Sequence, residues 1–150
     1  MCECLKKECC LMAIKADTRD EAIREMSEML VKAGQVNNKE VFIKDILERE
    51  ARGTTGIGLQ VAVPHAPTEA VGDFVIGFAR SEKGIDFTSS DGDKVHLIFI
   101  MGTNPDKLTA YLKYLAALSR LLRQPEFRKA LMAAATPEEV VAVFTNFESD

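Results

Sequence analysis

REARGTTGIGLQVAVPHA, residues Arg49 to Ala66, runs from a charged helix end through a glycine-punctuated loop into a short apolar segment and closes on Pro-His. The chain has two histidines, and His65 is one of them. Leu59–Val63 predicts a strand, and Pro64, with no N–H to give a sheet, predicts the end of its ladder. Gly56 and Gly58 let the backbone approach a ligand closely, and successive amides in such a loop can cradle an anion. Thr54 and Thr55 add hydroxyl donors, and Arg49 offers a planar guanidinium suited to phosphate oxygens. An imidazole in that setting suits nucleophilic or acid–base work, because one ring nitrogen attacks while a partner on the other fixes the tautomer. No Lys-Ser or Lys-Thr follows the glycines, so the loop is not a nucleotide-binding P-loop.

Working outward, Asn38 caps a helix carrying Val41, Phe42, Ile46 and Leu47, which is expected to run to about Ala51 and to leave Arg49 and Glu50 beside the loop. Upstream, Leu11–Ala16 predicts a first strand. Thr18 and Glu21 form a capping box for a helix whose apolar positions are Ile23, Met26, Leu30 and Ala33, with Gly34 as its stop. Downstream, Asp73–Ala79 and Lys94–Met101 predict strands, joined across an Asp-Gly turn at Asp91 and Gly92. Asn104 and Pro105 open a long helix, and Leu108, Tyr111, Leu112, Leu115, Leu118 and Leu122 are expected to face the sheet. Two short helices, each opened by a proline, follow. Interleaved strands and helices of this kind specify a single α/β domain with helices covering a sheet.

The 150 residues carry a net charge of −4 and a pI near 5.3, and no Lys/Arg run, which argues against nucleic-acid binding. No apolar segment reaches the length of a bilayer span, and MCECLKKECC lacks the apolar core of a secretory signal, so a cytoplasmic protein without membrane insertion is expected. Cys2, Cys4, Cys9 and Cys10 crowd the first ten residues, but adjacent Cys9 and Cys10 fit poorly into a tetrahedral zinc site. They read as a frayed or partly packed N-terminus. His96, sharing parity with Ile98 and Ile100, reads as a hydrogen-bonded structural residue. A hydrolase pairing His65 with a serine and Asp73 or Asp86 has no nucleophile-elbow motif behind it.

Arg49–Ala66 resembles the signature of enzyme IIA domains of the bacterial phosphoenolpyruvate-dependent sugar phosphotransferase system, in the fructose/mannitol class that includes nitrogen-regulatory IIA. The resemblance extends to Asp91–Met101 and Tyr111–Leu122, and covers roughly residues 11–146. It implies an α/β fold with a mixed sheet of about five strands flanked by helices, spanning residues 11–150, with residues 1–10 as an extension lacking a fold of its own. It also implies a phosphoryl relay without metal or cofactor. His65 takes the group from the histidine phosphocarrier protein and passes it to a IIB domain for sugar uptake, with Arg49 holding the phosphoryl oxygens. Thr54, Thr55, Gly56, Gly58, Glu50 and Tyr111 support the group, Glu50 by orienting Arg49 and Tyr111 as a hydroxyl donor beside His65. The alternative within the family is a nitrogen-regulatory protein that acts by phosphorylation-dependent binding to protein targets. Three positions depart from the family pattern: Tyr111 stands where a second histidine is usual, Gln60 where a small residue is common, and Arg19 where lysine is common.

Overall fold

The computed structural model describes residues 5–148. Six strands form one mixed sheet: β1 (Cys10–Leu11), β2 (Gly56–Gly58), β3 (Val61–Ala62), β4 (His65–Pro67), β5 (Phe74–Ile85) and β6 (Val95–Thr103). Their order is β1-β5-β6-β3-β2, with β4 also paired to β6. β5 and β6 form a long antiparallel hairpin, while β1 joins β5, and β3 and β4 join β6, in parallel.

Both faces of the central hairpin are covered, which is why β6 reads as a continuous apolar run rather than an alternating one. Helices α1 (Arg19–Lys32) and α2 (Lys39–Ala51) lie on one face. Gly77 of β5 gives room there to Leu30 and Met29 of α1, and Gly102 of β6 to Phe42 of α2. On the other face, Phe78 packs on Phe99, Phe99 meets Phe144 of α5 (Pro137–Glu148), and Phe144 in turn packs edge-on against Phe127 of α4 (Pro125–Ala133). Helix α3 (Leu108–Leu122) connects the end of β6 to α4.

The caps form as their sequences dictate. Thr18 accepts from the Glu21 amide and donates to the Glu21 carboxylate, and Asn38 accepts from the Val41 amide. One cap has no sequence signature: Arg80 of β5 donates to the carbonyls of Leu131, Met132 and Ala134, closing the C-terminal end of α4.

Several local expectations change. Leu59–Val63 is not one strand, because Leu59 and Gln60 both adopt positive φ, at 59° and 65°, and form the two-residue turn between β2 and β3. The ladder does not stop at Pro64 either. The Pro64 carbonyl accepts from the Met101 amide, and β4 continues beside β6 with His65 opposite Met101. The first strand begins earlier and is shorter than Leu11–Ala16. Residues 5–10 do not stand off the domain: Leu5 and Cys9 are buried in its core and Cys10 lies in β1. Cys2 and Cys4 fall outside the described residues.

Finally, Leu108 and Leu112 do not face the sheet. They are 41% and 60% exposed, whereas Tyr111, Leu118, Leu121 and Leu122 are buried. In the first two turns of α3 Tyr111 is buried, Tyr114 stacks on Phe74 and Leu115 packs against the core, while Leu108 and Leu112 stay on the outer side.

Candidate functional site

The site forms where β4, the β2–β3 hairpin, the end of α2 and the start of α3 converge. His65 opens β4, half-buried, and its Nδ1 lies 2.7 Å from the carbonyl oxygen of Val63. A carbonyl only accepts, so Nδ1 carries the hydrogen and the neutral ring presents its lone pair at Nε2. Burial pulls the imidazole below its ordinary pKa of 6.5. The Val63 carbonyl and the Glu50 carboxylate oppose that shift, and the Arg49 charge adds to it. The ring is therefore held neutral and nucleophilic near pH 7.

Arg49 sits in the last turn of α2, and its Nη1 donates to the Gly53 carbonyl at 2.9 Å. That contact turns the guanidinium back over the loop and uses one of its five N–H donors. Its charge is felt by both His65 and Tyr111, so the three groups share one site.

Glu50 is 2% exposed, and its two carboxylate oxygens are taken by Thr55, one by the amide at 2.9 Å and one by the hydroxyl at 2.6 Å. It therefore fixes the loop rather than Arg49, contrary to the expectation from its position. The threonine hydroxyls are also spoken for. Thr55 gives its proton to Glu50, and Thr54 donates to the Phe87 carbonyl while accepting from the Gly56 amide. Both hold the shape of the loop, and neither hydroxyl proton is left for a ligand. Gly56 is required by packing, since a Cβ there would lie 2.3 Å from the Ser89 Oγ, and Gly58 by its φ of 84°. Asp91, whose motif reads as a turn, also accepts from the Leu59 amide and so clips the tip of the hairpin.

Tyr111 lies beside His65, with ring centroids 6.0 Å apart, and also touches Phe74. The residue is 4% exposed, and its hydroxyl is buried without a hydrogen-bond partner among the described residues. Burial pushes its pKa up, with Arg49 pulling the other way, so the phenol keeps its proton and remains a donor. A buried, unpartnered hydroxyl costs roughly 1–3 kcal/mol. The donor is unused, on a ring whose centroid lies 6.0 Å from that of the imidazole.

Two features of the site had no side-chain signal in the sequence: the Val63 carbonyl, which sets the tautomer, and the outward turn of Leu108 and Leu112. His96 is remote in role. It lies on β6 with its Nδ1 2.8 Å from the Ser81 carbonyl. Cys9 and Cys10 are free thiols whose pKa values are raised, chiefly by burial, that of Cys10 to about 12. Neither is a thiolate at neutral pH. No helix among the described residues is long and apolar enough to cross a membrane.

Residues 3–147 match the sequence profile of the phosphoenolpyruvate-dependent sugar phosphotransferase system, EIIA 2. The chain is 34% identical over 146 residues to the fructose-specific EIIABC component of Bacillus subtilis, covering 97% of this chain but 23% of that protein. Among solved structures it is similar to the nitrogen regulatory protein IIA-Ntr of Neisseria meningitidis, with a TM-score of 0.88 and 25% identity over 95% of this chain and 97% of that one. It also resembles the Escherichia coli mannitol enzyme IIA in its complex with phosphorylated enzyme IIB, with a TM-score of 0.79 and 26% identity over 95% of this chain and 97% of that one. The imidazole at the start of β4 and the helix-end arginine thus belong to a whole-domain match in sequence and fold: the chain is a member of the EIIA 2 family of the phosphoenolpyruvate-dependent sugar phosphotransferase system.

Proposed function

We propose that His65 is the phosphoryl acceptor of a relay, taking the group from the histidine phosphocarrier protein and passing it to a IIB domain of a sugar permease. The observation that carries this reading is the Nδ1–Val63 hydrogen bond, which leaves Nε2 as the nucleophile. The Nε2 lone pair forms the new N–P bond as the donor's N–P bond breaks and its electron pair returns to the donor nitrogen. The ring then holds the phosphoryl group on Nε2 and the hydrogen on Nδ1, and the Val63 carbonyl supports the resulting positive charge. When the group moves on, that pair returns to Nε2 and the ring is neutral again.

Phosphoryl transfer asks chiefly for positioning and charge stabilisation. Arg49 supplies the charge, and the Tyr111 hydroxyl supplies a neutral donor that gains its missing partner when a phosphoryl oxygen arrives. Glu50, Thr54, Thr55, Gly56 and Gly58 act as positioning residues, holding the loop and hairpin. Ile57, Leu108 and Leu112 are exposed apolar residues on the segments that flank His65, and they suit transient docking of the carrier and the IIB domain.

The likeness to the nitrogen regulatory protein supports a second reading, in which phosphorylation of the same His65 selects a regulatory protein target. Incubation with phosphoenolpyruvate, enzyme I and the phosphocarrier, followed by a IIB domain, tests the first. Label should reach the IIB domain through the wild type and not through His65→Ala. Label that stays on this chain in the presence of IIB domains from fructose and mannitol permeases would favour the regulatory reading.

A further inference from the structure

A groove of about 390 Å³ lies between the β2–β3 turn and helix α4, away from the residues assigned to phosphoryl transfer. Its volume falls in the range of small-molecule sites, roughly 300–1,000 Å³. Leu59, Leu97, Pro125 and Met132 give it apolar walls, with Leu59 and Met132 both more than 40% exposed. Its charged and titratable lining consists of Arg128, Lys129 and His96, and no carboxylate is among it.

That asymmetry separates it from the other grooves of the protein. The one between α1 and α2 sets Glu28, Glu40 and Glu48 beside its lysines and arginine, and so neutralises itself. Among the described residues, neither Arg128 nor Lys129 forms an ion pair. Arg128 donates one Nη1 bond to the Leu122 carbonyl, at 2.6 Å, which anchors the side chain and leaves the rest of its planar fork. His96 gives its Nδ1 hydrogen to Ser81, which orients the ring. A cationic wall over an apolar floor, in a chain of net charge −4, is unsatisfied in both respects.

We infer that this groove is a second ligand site, for a small organic anion that carries an apolar body on a carboxylate or phosphate head. Arg128 and Lys129 hold the head, and the body lies on Leu59, Leu97 and Met132. Gln60 and Leu59, which form one wall, are the turn of the hairpin that begins next to Thr55 and ends next to Val63. An occupant therefore touches the hairpin whose near end Glu50 holds through Thr55 and whose far end leads through Val63 to His65.

The inference is independent of phosphorylation, and the two-histidine composition lets both sites be read separately. Phenyl phosphate, inorganic phosphate and phenol are titrated into the full chain while the imidazole NMR signals of His96 and His65 are followed. Phenyl phosphate should shift the His96 signals saturably, with phenol and inorganic phosphate each at least about tenfold weaker. The exposed-site variants Lys129→Glu and Met132→Glu should each weaken the His96 response by about tenfold while His65 keeps its own response and the far-UV spectrum is unchanged. Absence of a saturable His96 shift would overturn the inference. So would an equal response to inorganic phosphate, which would mark a bare cationic patch, or a His96 response to the phosphocarrier protein alone, which would mark a protein-docking face.

Discussion

The Nδ1 of His65 and the carbonyl oxygen of Val63, two residues earlier, stand 2.7 Å apart. The contact spans Pro64, whose ring fixes the φ of the residue between them. It couples the chemistry of the imidazole to the geometry of the strand that precedes it.

The first prediction concerns pH. Burial holds the folded-state pKa of His65 below 6.5, so the unfolded chain binds a proton here before the folded chain does. The stability associated with the neutral ring is fully present above 6.5 and is lost as pH falls through the lower, folded value. An NMR titration should place the His65 transition below 6.5, and the acid limb of the phosphorylation rate should follow it. A transition above 6.5 would contradict the environment described.

Arg49→Ala should slow phosphoryl transfer by an amount equivalent to about 2–4 kcal/mol, the scale of losing a charged or oriented donor at a transition state. Arg49→Lys should recover part of the rate but not the two-pronged contact. Thermal stability should change little, because the side chain makes one backbone contact at a helix end. Transfer at the wild-type rate in Arg49→Ala would remove the residue from the site.

Tyr111→Phe separates two states of the protein. The hydroxyl has no partner among the described residues, so its removal should leave stability unchanged or raise it by about 1 kcal/mol. In the phosphorylated protein the same change should shorten the lifetime of the N–P bond or slow its transfer. Calorimetry and the decay of labelled protein read the two effects. A loss of stability with no effect on the phosphoprotein would make Tyr111 a packing residue only.

Glu50→Ala should act through the loop. It removes both acceptors of Thr55 and leaves a buried amide and hydroxyl unpaired, a cost of roughly 1–3 kcal/mol for each group. Glu50→Gln keeps one acceptor and should recover much of the loss. Transfer rate and stability should fall together in the alanine variant, unlike in Arg49→Ala. A rate loss at wild-type stability would return Glu50 to a direct role.

Gln60→Gly tests the turn. A non-glycine residue in the left-handed region costs about 1–2 kcal/mol, part of which glycine gives back in unfolded-state entropy. A net gain of about 0.5–1 kcal/mol in urea unfolding is expected, since the Gln60 φ is 65°. A loss would mean that the exposed side chain contributes more than its conformation costs.

Much of the fold was legible because its signals are local. The Thr18 and Asn38 caps, the Asp91-Gly92 turn and the apolar run of β6 each follow from a few adjacent residues. The Leu59–Val63 misreading has a physical reason. Leu-Gln is a poor sequence for a two-residue turn, and a turn held by Asp91 thirty-two residues away leaves no trace in the local pattern. Leu108 and Leu112 fit helical periodicity but stay exposed, while Tyr111, Leu118, Leu121 and Leu122 of the same helix are buried. In the site, Arg49 and His65 were marked by their setting, but the hydrogen bonds that commit Thr54, Thr55 and Glu50 to the loop depend on tertiary placement. The Val63 carbonyl belongs to the backbone, which any sequence shares.

Phosphorus NMR of the protein after incubation with phosphoenolpyruvate, enzyme I and the phosphocarrier tests the central claim most directly. One acid-labile signal characteristic of Nε2-phosphohistidine should appear, be absent in His65→Ala, and persist in His96→Ala. A signal from the Nδ1 isomer, or one that survives in His65→Ala, would contradict the account.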